Sequence, residues 1–316
     1  MIHTEASPRG AKSPFAAQPS HGLAAAFNVQ RLEKRYQGFT LGPVDLRLQP
    51  GTVLALIGPN GAGKTTLLDC LAGLIQPDAG SIRIFGQAAH GGGFAKGQIG
   101  YASDEGAYYE NWSGARNLRF LAKFYPSWSE SWLQELVRRF SFPLEKPVKT
   151  LSKGNRSKLG LIAALAHKPK LLLLDEPTSG LDPLARAEVL EVLWELLEGE
   201  QAIIYSSHIL ADISRLADEL AFIREGRIIL NEPKDTLEDK WRKVSFRLAA
   251  PLPQALTESF ASHRAHGNEH QAVSRDFALT QSQLSALSAE RIEVSRISID
   301  DIAVHILKGA HSVADR

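Results

Sequence analysis

The stretch TVLALIGPNGAGKTTLLDCLAGLI, residues 52–75, decides how this chain reads. TVLALI (52–57) is a continuous apolar run of strand length, and TTLLDCLAGLI is helix-like, so a strand, a glycine-rich loop and a helix follow one another directly. Between them GPNGAGKTT matches G-x-x-x-x-G-K-[ST] in the context that motif needs. Gly58, Gly61 and Gly63 let the backbone turn tightly and point its N–H groups inward, and the helix N-terminus adds partial positive charge. The run Gly58, Pro59, Asn60, Gly61, Ala62, Gly63, Lys64, Thr65 and Thr66 is therefore the expected cradle for a triphosphate. Lys64 should reach the β and γ phosphates, and the Thr65 hydroxyl suits Mg²⁺, which prefers oxygen ligands.

Working outward, LLLLDEP (171–177) sets two carboxylates at the end of a second apolar strand. Asp175 is expected to support the metal and Glu176 to polarise the attacking water as general base. AIIYS (202–206) is a third buried strand, and PLARAEVLEVLWELL between the two is helical, so the order is βαβ and the sheet mostly parallel. Upstream, FNVQRLEKRY and FTLGPVDLRLQPG read as antiparallel entry strands, with Val44, Leu46 and Leu48 alternating. WSGARNLRFLAKFY and SWLQELVRRF within residues 112–168 have apolar positions at helical spacing, which predicts a helical insert. Beyond about residue 237 a small α+β domain is expected, closing on the helix ISIDDIAVHIL opened by Ser298 and Asp301.

Composition excludes several classes. The chain has 316 residues and is 44% hydrophobic, enough for one large domain and a small one. Lys and Arg total 36 against 35 Asp and Glu, so no excess charge draws it to nucleic acid or anionic lipid. The five tryptophans are too scattered to form a base-stacking platform. Cys70 stands alone, so an internal disulfide is impossible and a reducing compartment, the cytosol, is expected. No run approaches the roughly 18 apolar residues of a membrane span. Residues 1–26, rich in Ser, Pro, Ala and Gly, read as a disordered tail without the apolar core of a secretory signal; Glu5 and the prolines also argue against a transit peptide. His263, His266, His270 and Glu269 could be written as a metal cluster, but the polar stretch around Gly267 reads better as a mobile surface loop.

The motif series resembles the nucleotide-binding subunit of ABC transporters over about residues 27–230. LSKGN (151–155) is similar to that family's signature sequence, followed in order by LLLLDEP, SGLD (179–182) and YSSH ending in His208. The resemblance implies an α/β fold: a P-loop NTPase core of the ABC ATPase type with an antiparallel β subdomain and a helical subdomain at about 104–168, within residues 27–236. The small C-terminal α+β domain would then occupy 237–316. It also implies Mg-dependent ATP hydrolysis powering transport through a separate integral-membrane permease docked near Asp104–Asn111 and the helical insert, with the chain peripheral on the inner face of the cell membrane. A second ATP-binding subunit, identical or not, would complete each site: Ser152 and Gly154 would bind the γ phosphate held by the partner copy, Asp182 would lie at that interface, and His208 would contact the γ phosphate. Tyr36 resembles the aromatic on which the adenine stacks.

Two positions depart from the pattern. Asp104 stands where many members carry a metal-sensing glutamine, and being short it is a weaker Mg²⁺ ligand; Asn155 replaces the signature glutamine. SKG in place of SGG, with YASDEGAYYENW, most resembles export-branch subunits linked to drugs, antibiotics, peptides or polysaccharides, and ISIDDIAVHILKG resembles their closing helix. Two rivals remain at this stage: a soluble ATPase of the same superfamily acting on ribosomes or DNA, and a poorly hydrolysing regulatory partner. The first would carry tandem cassettes or a long coiled coil, and no sustained heptads lie between Lys64 and Asp175.

Overall fold

The structure, a computed structural model, describes residues 24–90, 96–103, 106–197, 201–207 and 216–309. The chain enters through an antiparallel hairpin, β1 (Phe27–Tyr36) and β2 (Phe39–Leu48). Ala25 and Ala26 belong to this body and not to the tail: both are buried, and the Ala26 N–H donates to Leu48 O at 2.9 Å. Next come β3 (Val53–Ile57), α1 (Lys64–Leu71), β4 (Ala79–Ile84), β5 (Gln87–Ala88) and β6 (Ile99–Ala102). Three helices follow, α2 (Gly114–Leu121), α3 (Glu130–Arg139) and α4 (Lys153–Leu165). Each opens on a serine, Ser113, Ser129 or Ser152, whose hydroxyl accepts a backbone N–H from the first turn. The chain returns through β7 (Leu171–Asp175), α5 (Pro183–Leu197), β8 (Ala202–Ser206), β9 (Glu219–Arg224) and β10 (Arg227–Pro233).

Strands β2-β1-β4-β5 make an antiparallel sheet, and the central sheet has the order β10-β9-β3-β8-β7-β6. Within the central sheet β9, β3, β8, β7 and β6 are parallel, and β10 returns antiparallel beside β9. Every residue of β3, β7 and β8 is buried because both faces of the sheet are covered, which is why these strands read as unbroken apolar runs. The two-residue period divides them between two cores. Ala55, Leu172, Leu174 and Ile203 face Leu159 of α4 and Val189 of α5; Leu54, Leu171, Leu173 and Ile204 face Leu67 of α1 and Val29 and Leu46 of the entry sheet. Each such side chain contributes roughly 2 kcal/mol of burial, and a one-residue slip would exchange the two sets, so the register is tightly specified. That register places Ile57, Asp175 and Ser206 together at the carboxyl edge, where open α/β sheets bind ligands.

The C-terminal part contains α6 (Lys234–Lys240), β11 (Arg242–Arg247), α7 (Gln254–Ser259), β12 (Phe260–His266), β13 (Glu269–Ser274), α8 (Phe277–Ala286), β14 (Glu290–Arg296) and α9 (Ile299–Gly309). Its sheet is antiparallel, β12-β13-β11-β14, over a small core of its own that includes Val244, Phe246, Leu256 and Leu284. It is not packed in isolation: Leu237, Trp241, Val273, Ile299, Ile302 and Ala303 join the larger core, and α9 lies against β9 as well as β12. The Ser298 hydroxyl opens α9, accepting the Asp301 N–H at 3.1 Å and donating to Asp301 Oδ2 at 2.9 Å.

The histidine stretch is a hairpin and not a surface loop. β12 and β13 pair around Gly267, bringing His263 Nε2 within 3.0 Å of His270 Nδ1, and His270 stacks on Phe246 at 5.0 Å between centroids. Along ASHRAHGNEHQAV two of the three histidines, His263 and His270, pack as aromatics while His266 is exposed, which is why the sequence reads as polar throughout. Among the described residues no group of three or more potential ligands converges on a metal position.

Candidate nucleotide site

The loop between β3 and α1 is the centre of the site. Gly61 and Gly63 take positive φ, 77° and 106°, and a Cβ on Gly63 would sit 3.0 Å from Phe39 Cζ and 3.1 Å from Leu41 Cδ1. Phe39, at the start of β2, therefore packs on the phosphate loop, a contact no local pattern in the sequence announces. A cavity of about 430 Å³ is lined by Asn60–Thr66 together with Phe39, Asp175 and Glu176. The Lys64 ammonium donates to Gly58 O at 2.9 Å and Pro59 O at 3.3 Å, and lies 3.7 Å from Glu176 Oε1. The loop is thus bridged by a cation aimed at the position phosphate oxygens take in such cradles.

The acidic wall comes from β7. Thr65 Oγ1 donates to Asp175 Oδ2 at 2.5 Å, so two hard oxygen donors, one hydroxyl and one carboxylate, already touch. That pair fits Mg²⁺ by the chemistry of its donors. Asp175 Oδ1 accepts from Ser206 Oγ at 2.5 Å, and the Glu176 N–H reaches both Ser206 O and Ser206 Oγ at 3.1 Å. Ser206 therefore orients both carboxylate residues from the neighbouring strand, where it is the register partner of Asp175. Sequence reasoning missed it, although its place as the last residue of AIIYS, the strand beside the one ending in Asp175, was the available signal. Glu176 has φ 50°, the left-handed region that side chains avoid; backbone strain of this kind is held where the surrounding structure over-determines it.

A second cluster forms around LSKGN. Ser152 caps α4, accepting the Asn155 N–H at 3.3 Å, and is exposed at that helix N-terminus. A Cβ on Gly154 would lie 2.8 Å from Gly180 O, so only glycine lets α4 approach the SGLD turn this closely. Asp182 Oδ1 accepts the N–H groups of Leu184 and Ala185 at 3.0 Å each, capping α5. Those bonds, the Ala185 N–H foremost, hold its carboxyl below the usual range. None of these three lines the phosphate-loop cavity. Tyr36 stands at the hairpin end, 44% exposed, with the Lys34 ammonium 5.7 Å from its ring centroid. Asp104 and His208 lie outside the described residues.

A larger cavity, about 850 Å³, runs from Thr65, Asp175 and Glu176 under the helical part to Tyr108, Tyr125 and His167. Inside it Tyr101 OH donates to Asp69 Oδ1 at 2.8 Å, and burial raises the Asp69 carboxyl above its ordinary value.

A strand, glycine loop and helix with a Thr–Asp donor pair beside Lys64 define a nucleoside triphosphatase of the phosphate-loop class. Residues 41–179 match the ABC transporter family. The chain is 37% identical over 214 residues, 67% of its length and 92% of the relative's, to a lantibiotic transport ATP-binding protein of Streptococcus pyogenes. It is also 36% identical to a daunorubicin resistance ATP-binding protein of Streptomyces coeruleorubidus, covering 67% of this chain and 70% of that one. Among solved structures it is similar to an ATP-binding subunit of an ABC transporter, with TM-score 0.62 and 31% identity over 67% of this chain and 92% of that one. A dimeric ATP-binding cassette bound to ADP and phosphate shares the fold, with TM-score 0.59 and 18% identity over 66% of this chain and 98% of that one. The chain belongs to the ABC transporter family and is one of its ATP-binding subunits, which drive transport through a separate permease. No helix among the described residues is long and apolar enough to cross a membrane.

Proposed function

We propose that this subunit hydrolyses Mg·ATP to power export through its permease, with each ATP held between the phosphate loop of one copy and LSKGN of a second ATP-binding subunit. The observation that carries the reading is the Thr65–Asp175 bond at 2.5 Å beside Lys64 and Glu176: metal donors, phosphate-binding cation and base surround one cavity. Thr65 and Asp175 would hold Mg²⁺, whose charge would offset that gathering on the phosphate oxygens. The backbone of Gly58–Thr66 cradles the triphosphate, and Lys64 exchanges its carbonyl partners for β and γ oxygens. Glu176, turned by its φ and held through Ser206, accepts the proton of the attacking water.

Ser152 and Gly154 at the N-terminus of α4 present N–H dipoles suited to a γ phosphate from the facing copy. In this reading His208 contacts the γ phosphate and helps position the attacking water, Asp182 lies at the dimer interface, Tyr36 stacks the adenine, and Asp104 takes the metal-sensing position. Gly106, Ala107 and Tyr108 line the large cavity under the helical part, which supports a permease contact along the stretch beginning at Asp104. Export, as against import, is supported by the lantibiotic and daunorubicin resistance relatives. The subunit would then work in the cytoplasm, against the inner face of the membrane. Steady-state phosphate release by wild type and Glu176→Gln tests the reading: a fall of roughly 10²- to 10⁴-fold with ATP binding retained is expected, and equal rates would overturn it.

A further inference from the structure

Beside the phosphate cavity lies another of about 540 Å³, and the two share Phe39, Asn60, Gly61 and Ala62 as a common wall. Besides Pro59 of the phosphate loop, the rest of its lining comes from three places: Gly38 and Thr40 of the entry hairpin, Arg224 and Glu225 at the end of β9, and Leu307 and Lys308 in the last turn of α9. The C-terminal domain thus reaches the rim of the nucleotide site. Its seat there is built. Ile299, Ile302 and Ala303 bury one side of α9 in the main core, and Arg224 Nη1 donates to Leu307 O at 3.1 Å, satisfying a carbonyl at the helix end. The β9–β10 turn is in turn tied to the loop, since the Gly226 N–H donates to Ala62 O at 3.0 Å.

Phe39, Asn60, Gly61 and Ala62 border both cavities, so a nucleoside carried on a triphosphate in the cradle can reach over that wall into the 540 Å³ cavity. The carboxyl end of a helix carries partial negative charge, which opposes a polyanion. Here two cations, Arg224 and Lys308, and one carboxylate, Glu225 at 3.6 Å from Arg224 Nε, stand at that end, an excess of one positive charge. We propose that the last turn of α9 is part of the nucleotide site, with Leu307 and Lys308 forming the wall against which the nucleoside portion of a bound nucleoside triphosphate rests. This rests on the reading of the phosphate loop as an ATP cradle. ATP binding and the docking of the C-terminal domain are then coupled, each strengthening the other by the same factor.

The test uses the full chain and calorimetric titration with two probes, the non-hydrolysable analogue adenylyl imidodiphosphate and inorganic tripolyphosphate, which fills the cradle but has no nucleoside. Lys308 is exposed, so Lys308→Ala, Lys308→Glu and Lys308→Arg should fold, which thermal melting without ligand verifies. Lys308→Ala is expected to weaken the analogue about three- to tenfold and Lys308→Glu more, with Lys308→Arg near wild type; the lost charge acts on tripolyphosphate too, so that probe should weaken in the same direction but clearly less. Analogue affinity unchanged in Lys308→Glu, or both probes weakened equally, would overturn the proposal. A wild-type chain that binds neither probe would instead overturn the ATP reading beneath it.

Discussion

The phosphate loop and the LSKGN loop face the same ligand in the proposed dimer, yet they are built in opposite ways. Around the phosphate loop three of the functional side chains are sunk, Lys64 7% exposed, Asp175 5% and Ser206 0%, and the last two are bonded to the exposed Thr65 hydroxyl and the Glu176 N–H in one hydrogen-bonded chain running Thr65, Asp175, Ser206, Glu176. At LSKGN Ser152 caps α4, and in the SGLD turn beside it Asp182 caps α5, both exposed to solvent. The first half-site is complete within one copy. The second is a helix N-terminus exposed at Ser152 and Lys153, a surface of the kind that suits an arriving anion.

The largest effect that would break this contrast is on the LSKGN side. Gly154→Val places branched carbon against Gly180 O, where even a Cβ would sit at 2.8 Å, and must displace the SGLD turn. ATPase activity should fall roughly a hundredfold, as misplacements of about an ångström do, while ATP binding to the isolated subunit stays at the wild-type value. If equilibrium binding falls alongside the rate, the two half-sites are not independent and the contrast is wrong.

A smaller effect sharpens the other half. Ser206→Ala removes the hydroxyl that bonds both Asp175 and Glu176. Hydrogen bonds to charged groups are worth about 1.5–3 kcal/mol, so kcat should drop about tenfold or somewhat more, with KM little changed. Ser206→Thr, which keeps the hydroxyl, should recover most of it. A change confined to KM would show that Ser206 serves binding and not the orientation of the two carboxylates.

The smallest effect is on stability. His167 is buried just beyond α4, its Nε2–H donating to Ile99 O at 3.0 Å and its ring stacked 4.1 Å from Tyr125. Burial depresses its pKa below the ordinary 6.5, the Ile99 bond opposing only in part. A histidine depressed in the folded state contributes stability that is full above the unfolded pKa and is lost as pH falls through the folded one. Melting temperature should therefore be flat near neutral pH and decline below about pH 6, with a shallower decline in His167→Gln. Burial also depresses His270 and His305, so a residual slope belongs to them. Hydrogen exchange should show protection in α4 falling before protection in β3 and α1; the reverse order would place the weak point at the phosphate loop.

Legibility followed locality. The cradle was readable because its residues are consecutive, Gly58–Thr66 between an apolar strand and a helix, and the βαβ unit because β7 and β8 are buried on both faces and carry no alternation to confuse them. Helix α5 at 183–197 follows from the same periodic signal. The imidazole pair of β12 and β13 was misread because histidine scores as polar in a pattern while packing as an aromatic against Phe246.

Read along the chain, the residues already carry the chemistry within reach of one loop and its neighbours: a triphosphate cradle, a metal-suited hydroxyl, two carboxylates at a strand end and a family-specific motif order. Folding in three dimensions is what sets Ser206 against both carboxylate residues, Phe39 against Gly63, and Leu307 and Lys308 in the cavity beside the phosphate loop. The reason is physical. Those contacts are made by strand register and by a helix returning from the far end of the chain, and the burial that sets both is summed over two cores, so no short window of sequence contains it.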